Sequence, residues 1–284
     1  MKYLKLLRVQ QWYKNLVIFI PLIFSRNLFN LNLFLIELLG FLALCLMSSC
    51  NYIINDVLDA EKDRLHPEKK NRPIASGAVK KDTAAIIATV LFVASLMVSY
   101  YINWLFILWP LALFVSTQLY SWKLKDIPII DIHMIALNFI IRTTAGSIAI
   151  SVETSTWLFL LAFLLAIFLA LGKRWVELAT LGKKAASHRH VFNFYNEELL
   201  NSFINIILAM LLASYAFYTF LANTPNDLMM LTIPIATFIL FRYLFLIKSN
   251  HKIAERIELL VYDRQLLAGI IIWAFISILV FYIL

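Results

Sequence analysis

The sequence predicts an all-α polytopic membrane protein. Three observations carry that prediction: apolar runs of membrane-spanning length, a shortage of charge, and a one-sided distribution of Lys and Arg. Of 284 residues, 62% are hydrophobic and only 15% charged, against about a quarter charged in soluble domains. A helix needs about 20 apolar residues to cross the hydrocarbon core of a bilayer. Nine candidate transmembrane helices approach or exceed that length, at 12–30, 33–56, 83–101, 103–121, 128–149, 155–172, 199–221, 227–247 and 265–284. No soluble domain, low-complexity stretch or repeat interrupts them, so residues 1–284 read as a single transmembrane domain.

The first span is the shortest in apolar content, because its uninterrupted run covers only Leu16 to Phe24. Trp12 and Tyr13 supply an interfacial belt for it, and Lys14 can snorkel. Ahead of it, Lys2, Lys5, Arg8 and Lys14 alternate with Tyr3, Leu4, Leu6, Leu7 and Trp12. That pattern reads as an amphipathic surface stretch and not as a cleavable signal.

Orientation follows from the positive-inside rule. With the N-terminus inside, the inner segments are 1–14, 57–82, 122–127, 173–198 and 248–264. All but two of the 25 Lys and Arg lie in them or at the span ends that touch them, the exceptions being Arg26 and Arg142. The expected location is therefore the cell (inner) membrane, with the long charged loops on the cytoplasmic face. This asymmetry, together with attraction to anionic lipid, accounts for much of the net charge of +8, so no nucleic-acid partner is implied. Cys45 and Cys50 share the second span and read as buried, inert thiols. Oligomeric state stays open, a homo-oligomer included.

Chemistry concentrates where the second span enters the cytoplasm. Asn55, Asp59 and Asp63 are spaced i, i+4, i+8, so on a helix they drift about 40° per step and line one face. Asp56 lies one step round and can support the same cluster. Hard oxygen ligands on one face suit Mg2+, which takes one or two carboxylates plus substrate phosphates. The motif thus points to a metal-bridged diphosphate, with Asn55, Asp56, Asp59 and Asp63 as metal ligands. Polar groups at the membrane boundary are costly and usually functional, which weighs against a merely solvated helix end.

Downstream, Pro67, Pro73 and Gly77 break helix and hold an ordered loop. Its cations Arg64, Lys69, Lys70 and Arg72 can bind phosphate oxygens, or simply mark the inner side; His66 reads as a loop residue. Tyr120, Lys125 and Asp131 sit near inner span ends. Arg142 lies about 16 Å along the fifth span from Asp131, so it should face the protein interior and have a partner, either a phosphate or an acid. Lys173 and Arg174, followed by Glu177, can hold a second phosphate or form a snorkelling membrane border.

Asn55-Asp56-x-x-Asp59-x-x-x-Asp63 in a nine-span protein resembles the UbiA superfamily of membrane prenyltransferases. That resemblance implies a Mg2+–diphosphate site on the first Asp motif. Most members carry a second Asp-rich motif after the sixth span, where this chain has Gly172-Lys173-Arg174-Trp175-Val176-Glu177. Further pieces are Gln11-Trp12-x-Lys14-Asn15, Arg64-x-His66-Pro67, Arg72-Pro-Ile-Ala-x-Gly77, Tyr120-Ser121, Leu124-Lys125, Arg142-x-x-Ala-Gly146 and Asp263-Arg264. Together they resemble the decaprenyl-phosphate phosphoribosyltransferase subfamily.

What this second resemblance implies is a cell-wall biosynthetic activity. Phosphoribose would pass from phosphoribosyl pyrophosphate to a polyprenyl phosphate, with diphosphate released. Asn55, Asp59 and Asp63 would hold the metal, while Lys125, Arg142, Lys173 and Arg174 are candidates for the donor's 5-phosphate. Arg8, Gln11 and Lys14 could meet the acceptor phosphate at the interface. The competing expectation is ordinary prenyl transfer from a polyprenyl diphosphate to an aromatic or quinone-precursor acceptor.

Overall fold

The computed structural model describes residues 2–65, 69–182, 185, 189–222, 227–249, 259 and 262–283. Among these residues the regular structure is helical throughout, with no strand. In chain order the helices are α1 (Lys2–Leu7), α2 (Ile20–Phe24), α3 (Leu31–Leu58), α4 (Ala60–Leu65), α5 (Lys81–Ile102), α6 (Leu108–Trp122), α7 (Ile130–Ala149), α8 (Thr156–Leu181), α9 (Glu197–Leu221), α10 (Ile233–Ser249) and α11 (Arg264–Tyr282). Eight of the described helical segments are long and apolar enough to cross a membrane. The protein is an integral membrane protein. The chain divides into two compact units. One comprises residues 1–123 and 140–154, the other 124–139 and 155–284.

The expected first span at 12–30 differs from a regular α-helix. Val9–Phe19 forms a 3-10 helix of 11 residues, followed by α2 with Pro21 in its first turn. A 3-10 helix rises ~2.0 Å per residue, so this segment and α2 together cover about 30 Å, the thickness of the hydrocarbon core. The stretch runs antiparallel to α3. Ser49 Oγ donates to the Leu7 carbonyl at 2.7 Å, and Trp12 Nε1 to Ser49 Oγ at 3.0 Å. Asn15 Nδ2 donates to Ser48 Oγ at 3.4 Å. Ile18 then meets Gly40, where a Cβ would lie 3.0 Å from Ile18 Cδ1. The short apolar run of residues 16–24 thus makes a passage beside α3 by stretching.

In this first unit α3 packs along α5 on small residues. Ser95 Oγ donates to the Ala43 carbonyl at 2.8 Å, and Ala84, Ala88 and Ser99 are also buried. Small residues let backbones approach where lipid gives no hydrophobic drive between helices. The opposite face of α5 exposes Ile86, Val90, Val93 and Met97, as a lipid-facing surface should. Gly146 marks the tightest approach: a Cβ there would stand 2.0 Å from the Ile18 carbonyl oxygen and 2.5 Å from Glu37 Oε1. Two apolar clusters fill the unit. One is centred on Met47, Ile53, Ile74 and Ala84, the other on Ile18, Leu44, Phe106 and Leu113. Cys45 and Cys50 are buried and unbridged, as expected.

In the second unit α8 and α9 bury Leu164, Phe168, Leu171, Leu200 and Ile204 against Ile132 of α7 and Tyr243 and Ile247 of α10. Asp263 caps α11, its side chain accepting from Leu266 N at 2.8 Å. Most of the inner segment 248–264 lies outside the described residues, as do His66 and Pro67.

Candidate functional site: a carboxylate–arginine cluster at the end of α3

The helix carrying the acidic motif does not run unbroken. It ends at Leu58, and Asp59 takes φ −90°, ψ 2° before α4 resumes at Ala60. Turn-to-turn bonding persists, with Asp59 N donating to Asn55 O at 2.9 Å and Asp63 N to Asp59 O at 2.8 Å. Asp59 therefore sits at a bend in the sparsely populated bridge region of backbone space, where many active-site residues are found. Asp56 and Asp63, seven residues apart, share a helix face. Asp56 and Asp63 both reach Arg72, whose Nη1 donates to Asp63 Oδ2 at 2.6 Å and to Asp56 Oδ1 at 3.1 Å. Arg8 Nη2 donates to the same Asp56 Oδ1 at 2.6 Å. The Arg8 guanidinium also lies over the Tyr52 ring, 4.9 Å from its centroid.

The backbone around each arginine is fixed while the side chain stays partly open. Arg8 adopts a left-handed conformation, φ 49° and ψ 45°, where the chain turns from α1 into the 3-10 helix. A non-glycine residue there is uncommon and marks a constrained site. Arg72 begins a turn in which Ser76 N donates to Arg72 O and Val79 N to Pro73 O, each at 2.9 Å. Pro73, Ile74 and Ala75 are buried beneath it, and Gly77 closes the turn at φ 77°, a region glycine enters without steric cost. The carboxylates are enclosed, at 2% and 5% side-chain exposure, and the Arg8 and Arg72 side chains are 26% and 28% exposed.

Asn55 turns to another neighbour: its Nδ2 donates to Ser121 Oγ at 2.9 Å. One turn earlier, Gln118 Nε2 donates to Asn51 Oδ1 at 2.7 Å. The amides of α3 thus register α6 against it, a contact that the sequence motif does not reveal. Asp59 is half-buried. Arg64 is exposed and donates to Ala75 O at 3.2 Å, and Lys70 is exposed. Gln11, Lys14 and Tyr120 are half-buried, with the Lys14 ammonium 5.9 Å from the Tyr13 ring centroid. Arg142 faces inward as expected, and one partner is the neutral amide of Asn15, Nε to Oδ1 at 2.7 Å.

Two carboxylate oxygens aimed at one nitrogen are already a cation site in geometry. No group of three or more His, Cys, Asp or Glu that could cage a metal occurs among the described residues. A pair of carboxylates converging on one point fits Mg2+, which keeps waters and shares its remaining positions with substrate phosphates.

In the second unit the sequence-predicted cations are arranged differently. Arg174, 1% exposed, donates from Nε to Asp131 Oδ2 and from Nη1 to Glu177 Oε2, both at 2.8 Å. Tyr195 Oη donates to Asp131 Oδ1 at 2.8 Å and accepts from Ile129 N at 2.6 Å. Burial pushes the Tyr195 phenol above its ordinary range. Arg189 approaches Glu177 at 3.9 Å. Arg174 is thus enclosed in an ion-pair network, where the sequence suggested a phosphate ligand or a membrane border. Lys125 and Lys173 are half-buried. Nothing in the local sequence around Tyr195 signals its part in this network.

The model of the UbiA prenyltransferase family matches residues 17–262. The chain is 33% identical over 193 residues to a decaprenyl-phosphate phosphoribosyltransferase of Mycolicibacterium smegmatis. That alignment covers 68% of this chain and 60% of the relative. A decaprenyl-phosphate phosphoribosyltransferase of Corynebacterium glutamicum is 31% identical over 221 residues, covering 76% of this chain and 67% of the relative. Among solved structures, a UbiA homologue from Archaeoglobus fulgidus bound to GPP and Mg2+ superposes with a TM-score of 0.71 at 22% identity. It covers 98% of this chain and 97% of that one, and at that identity the likeness establishes the fold.

Proposed function

The chain belongs to the UbiA prenyltransferase family, and on that premise we propose that it transfers 5-phosphoribose from phosphoribosyl pyrophosphate to a polyprenyl phosphate. Diphosphate is released, and the reaction takes place at the cytoplasmic face of the cell membrane. Support for this donor comes from the named activity of the relatives. One structural observation carries it: the acid at the inner end of α8, Glu177, is already paired with Arg174 at 2.8 Å. Among the described residues, that end of the helix holds no cluster of acids such as a second Asp motif would supply for a second metal.

In this reading Asp59 and Asp63, with Asp56 and Asn55 beside them, hold Mg2+. When bound, the ion neutralises charge on the departing diphosphate. The remaining chemistry is positioning and electrostatics. An oxygen of the acceptor phosphate forms the bond to ribose C1 as the C1–O bond to diphosphate breaks, and the bonding electrons leave with diphosphate. The acceptor is already anionic, so no strong general base is required.

Arg64, Lys70, Arg72 and Tyr120 are assigned to the donor, and Gln11 and Lys14 to the acceptor phosphate. Lys125, Arg142 and Lys173 are the candidates for the 5-phosphate. Arg174 acts as a positioning residue, through Asp131 and Glu177.

The test is direct. Purified protein with Mg2+, labelled phosphoribosyl pyrophosphate and a polyprenyl phosphate should yield a phosphoribosylated lipid. Asp59→Asn should lower the rate about 10²-fold, the scale for losing one electrostatic stabiliser of a transition state. No labelled lipid, alongside prenylation of an aromatic acid from a polyprenyl diphosphate, would overturn the assignment.

A further inference from the structure

We propose that Arg72, with Arg8 behind it, holds the place of the divalent ion and yields it only when a diphosphate arrives to take the guanidiniums. The inference rests on the metal site proposed above and concerns the order in which that site fills.

Arg72 Nη1 stands within 3.1 Å of both Asp56 Oδ1 and Asp63 Oδ2, and Arg8 Nη2 stands 2.6 Å from the same Asp56 oxygen. A single donor bridging two carboxylates occupies the position that a shared cation would take. The four side chains carry two negative and two positive charges, so the cluster is neutral without metal. A divalent ion entering alone must displace Arg72 and then sit beside two guanidiniums, with Asp59 the one further acid of the proposed site to offset them. A diphosphate changes that balance, because guanidinium groups bind phosphate oxygens in forked pairs. Once the arginines turn to the diphosphate, both carboxylates are open to the metal. The fixed turn beneath Arg72 and the partial exposure of its side chain suit such an exchange.

The consequence is positive coupling. Metal and diphosphate each raise the other's affinity by the same factor, typically about 5- to 150-fold in such linked systems. The full chain in detergent is titrated with Mn2+, read by its electron spin resonance, with and without inorganic diphosphate. Wild type should bind Mn2+ weakly alone and at least about 10-fold more tightly with diphosphate. In Arg72→Gln, Mn2+ alone should bind several-fold more tightly, and the gain from diphosphate should shrink. Arg8→Gln should act in the same direction to a lesser degree.

Unchanged or weaker Mn2+ binding in Arg72→Gln overturns the inference. So does wild-type protein that binds Mn2+ equally with and without diphosphate, a measurement that needs no variant. In both cases the metal site itself stands. Wild-type protein that takes up no Mn2+ even with diphosphate overturns the inference and the metal site together.

Discussion

Two arginine–carboxylate clusters in this protein use the same groups to opposite ends. In the first unit Arg8 and Arg72 hold Asp56 and Asp63 with arginine side chains about a quarter exposed. In the second unit Arg174 holds Asp131 and Glu177, with 1% of the arginine and none of Asp131 exposed. In the half-open cluster the arginines can turn to a phosphate while a cation takes their place on the enclosed carboxylates. In the closed one Arg174 is itself out of reach of water, and freeing it would leave a buried guanidinium and a buried Asp131 carboxylate without an opposite charge. A guanidinium–carboxylate contact is therefore a binding device or a structural rivet according to its solvent access, and residue type alone does not decide which.

The largest expected effect breaks the closed cluster. Arg174→Ala strands Asp131 and should cost about 3–5 kcal/mol. Thermal unfolding in detergent should show it as a large fall in midpoint or a failure to accumulate folded protein. Arg72→Ala should shift the midpoint less, because Arg8 still pairs with Asp56 at 2.6 Å and Asp63 alone loses its ion pair. Equal destabilisation by the two variants would remove the contrast. Next comes Gly146→Ala, which tests packing in the first unit. Its methyl would meet the Ile18 carbonyl oxygen at 2.0 Å, and a backbone atom has little freedom to move. We expect a loss at the upper end of the ~1–3 kcal/mol usual for overpacking.

The legible and illegible parts of this protein separate along physical lines. Span positions follow from hydropathy, which depends on local composition, and all eight long helical segments start within two residues of their expected position. The first span departs because Val9–Phe19 adopts a 3-10 helix, stabilised by Trp12 and Asn15 bonding across to α3. Partners 30 or more positions away leave no periodic signature. The acidic motif was readable as a motif, but its partner was not. The spacing placed Asn55, Asp59 and Asp63 along one side of a helix; Asp56 and Asp63, seven residues and nearly two full turns apart, align more closely still, and these are the two that meet Arg72. From sequence Arg174 reads as a ligand for a second phosphate or as part of a snorkelling membrane border. Only tertiary structure sets Asp131 and Tyr195 around it.

Glu37 extends the comparison to an acid with no cation. It is fully buried in α3, and neither carboxyl oxygen has a hydrogen-bond partner among the described residues. A buried polar group without a partner costs stability. Replacement by an apolar side chain of similar volume is then neutral or favourable. Glu37→Met should raise the unfolding midpoint modestly, a gain of about 1 kcal/mol. A marked fall would mean that the carboxyl has a function that packing does not explain.

The smallest effect sharpens the role of solvent access. Asp263 accepts from Arg242 Nη2 at 2.7 Å and Nε at 3.2 Å, and these bonds hold its carboxyl below the usual range. A carboxylate depressed in the folded state stabilises above its unfolded pKa of about 3.9. That stability is lost as pH falls through the lower folded value. The unfolding midpoint should therefore decline on the acid side of about pH 4. Asp263→Asn keeps the N-cap of α11, since Asn caps as well as Asp, but cannot titrate. Its midpoint should start lower at neutral pH and fall less steeply in acid. A pair this close to water is screened, so the difference should be small beside that of Arg174→Ala. If the acid limb of Asp263→Asn matched wild type, the Arg242 pair would contribute nothing measurable, and solvent access would have cancelled the ion pair altogether.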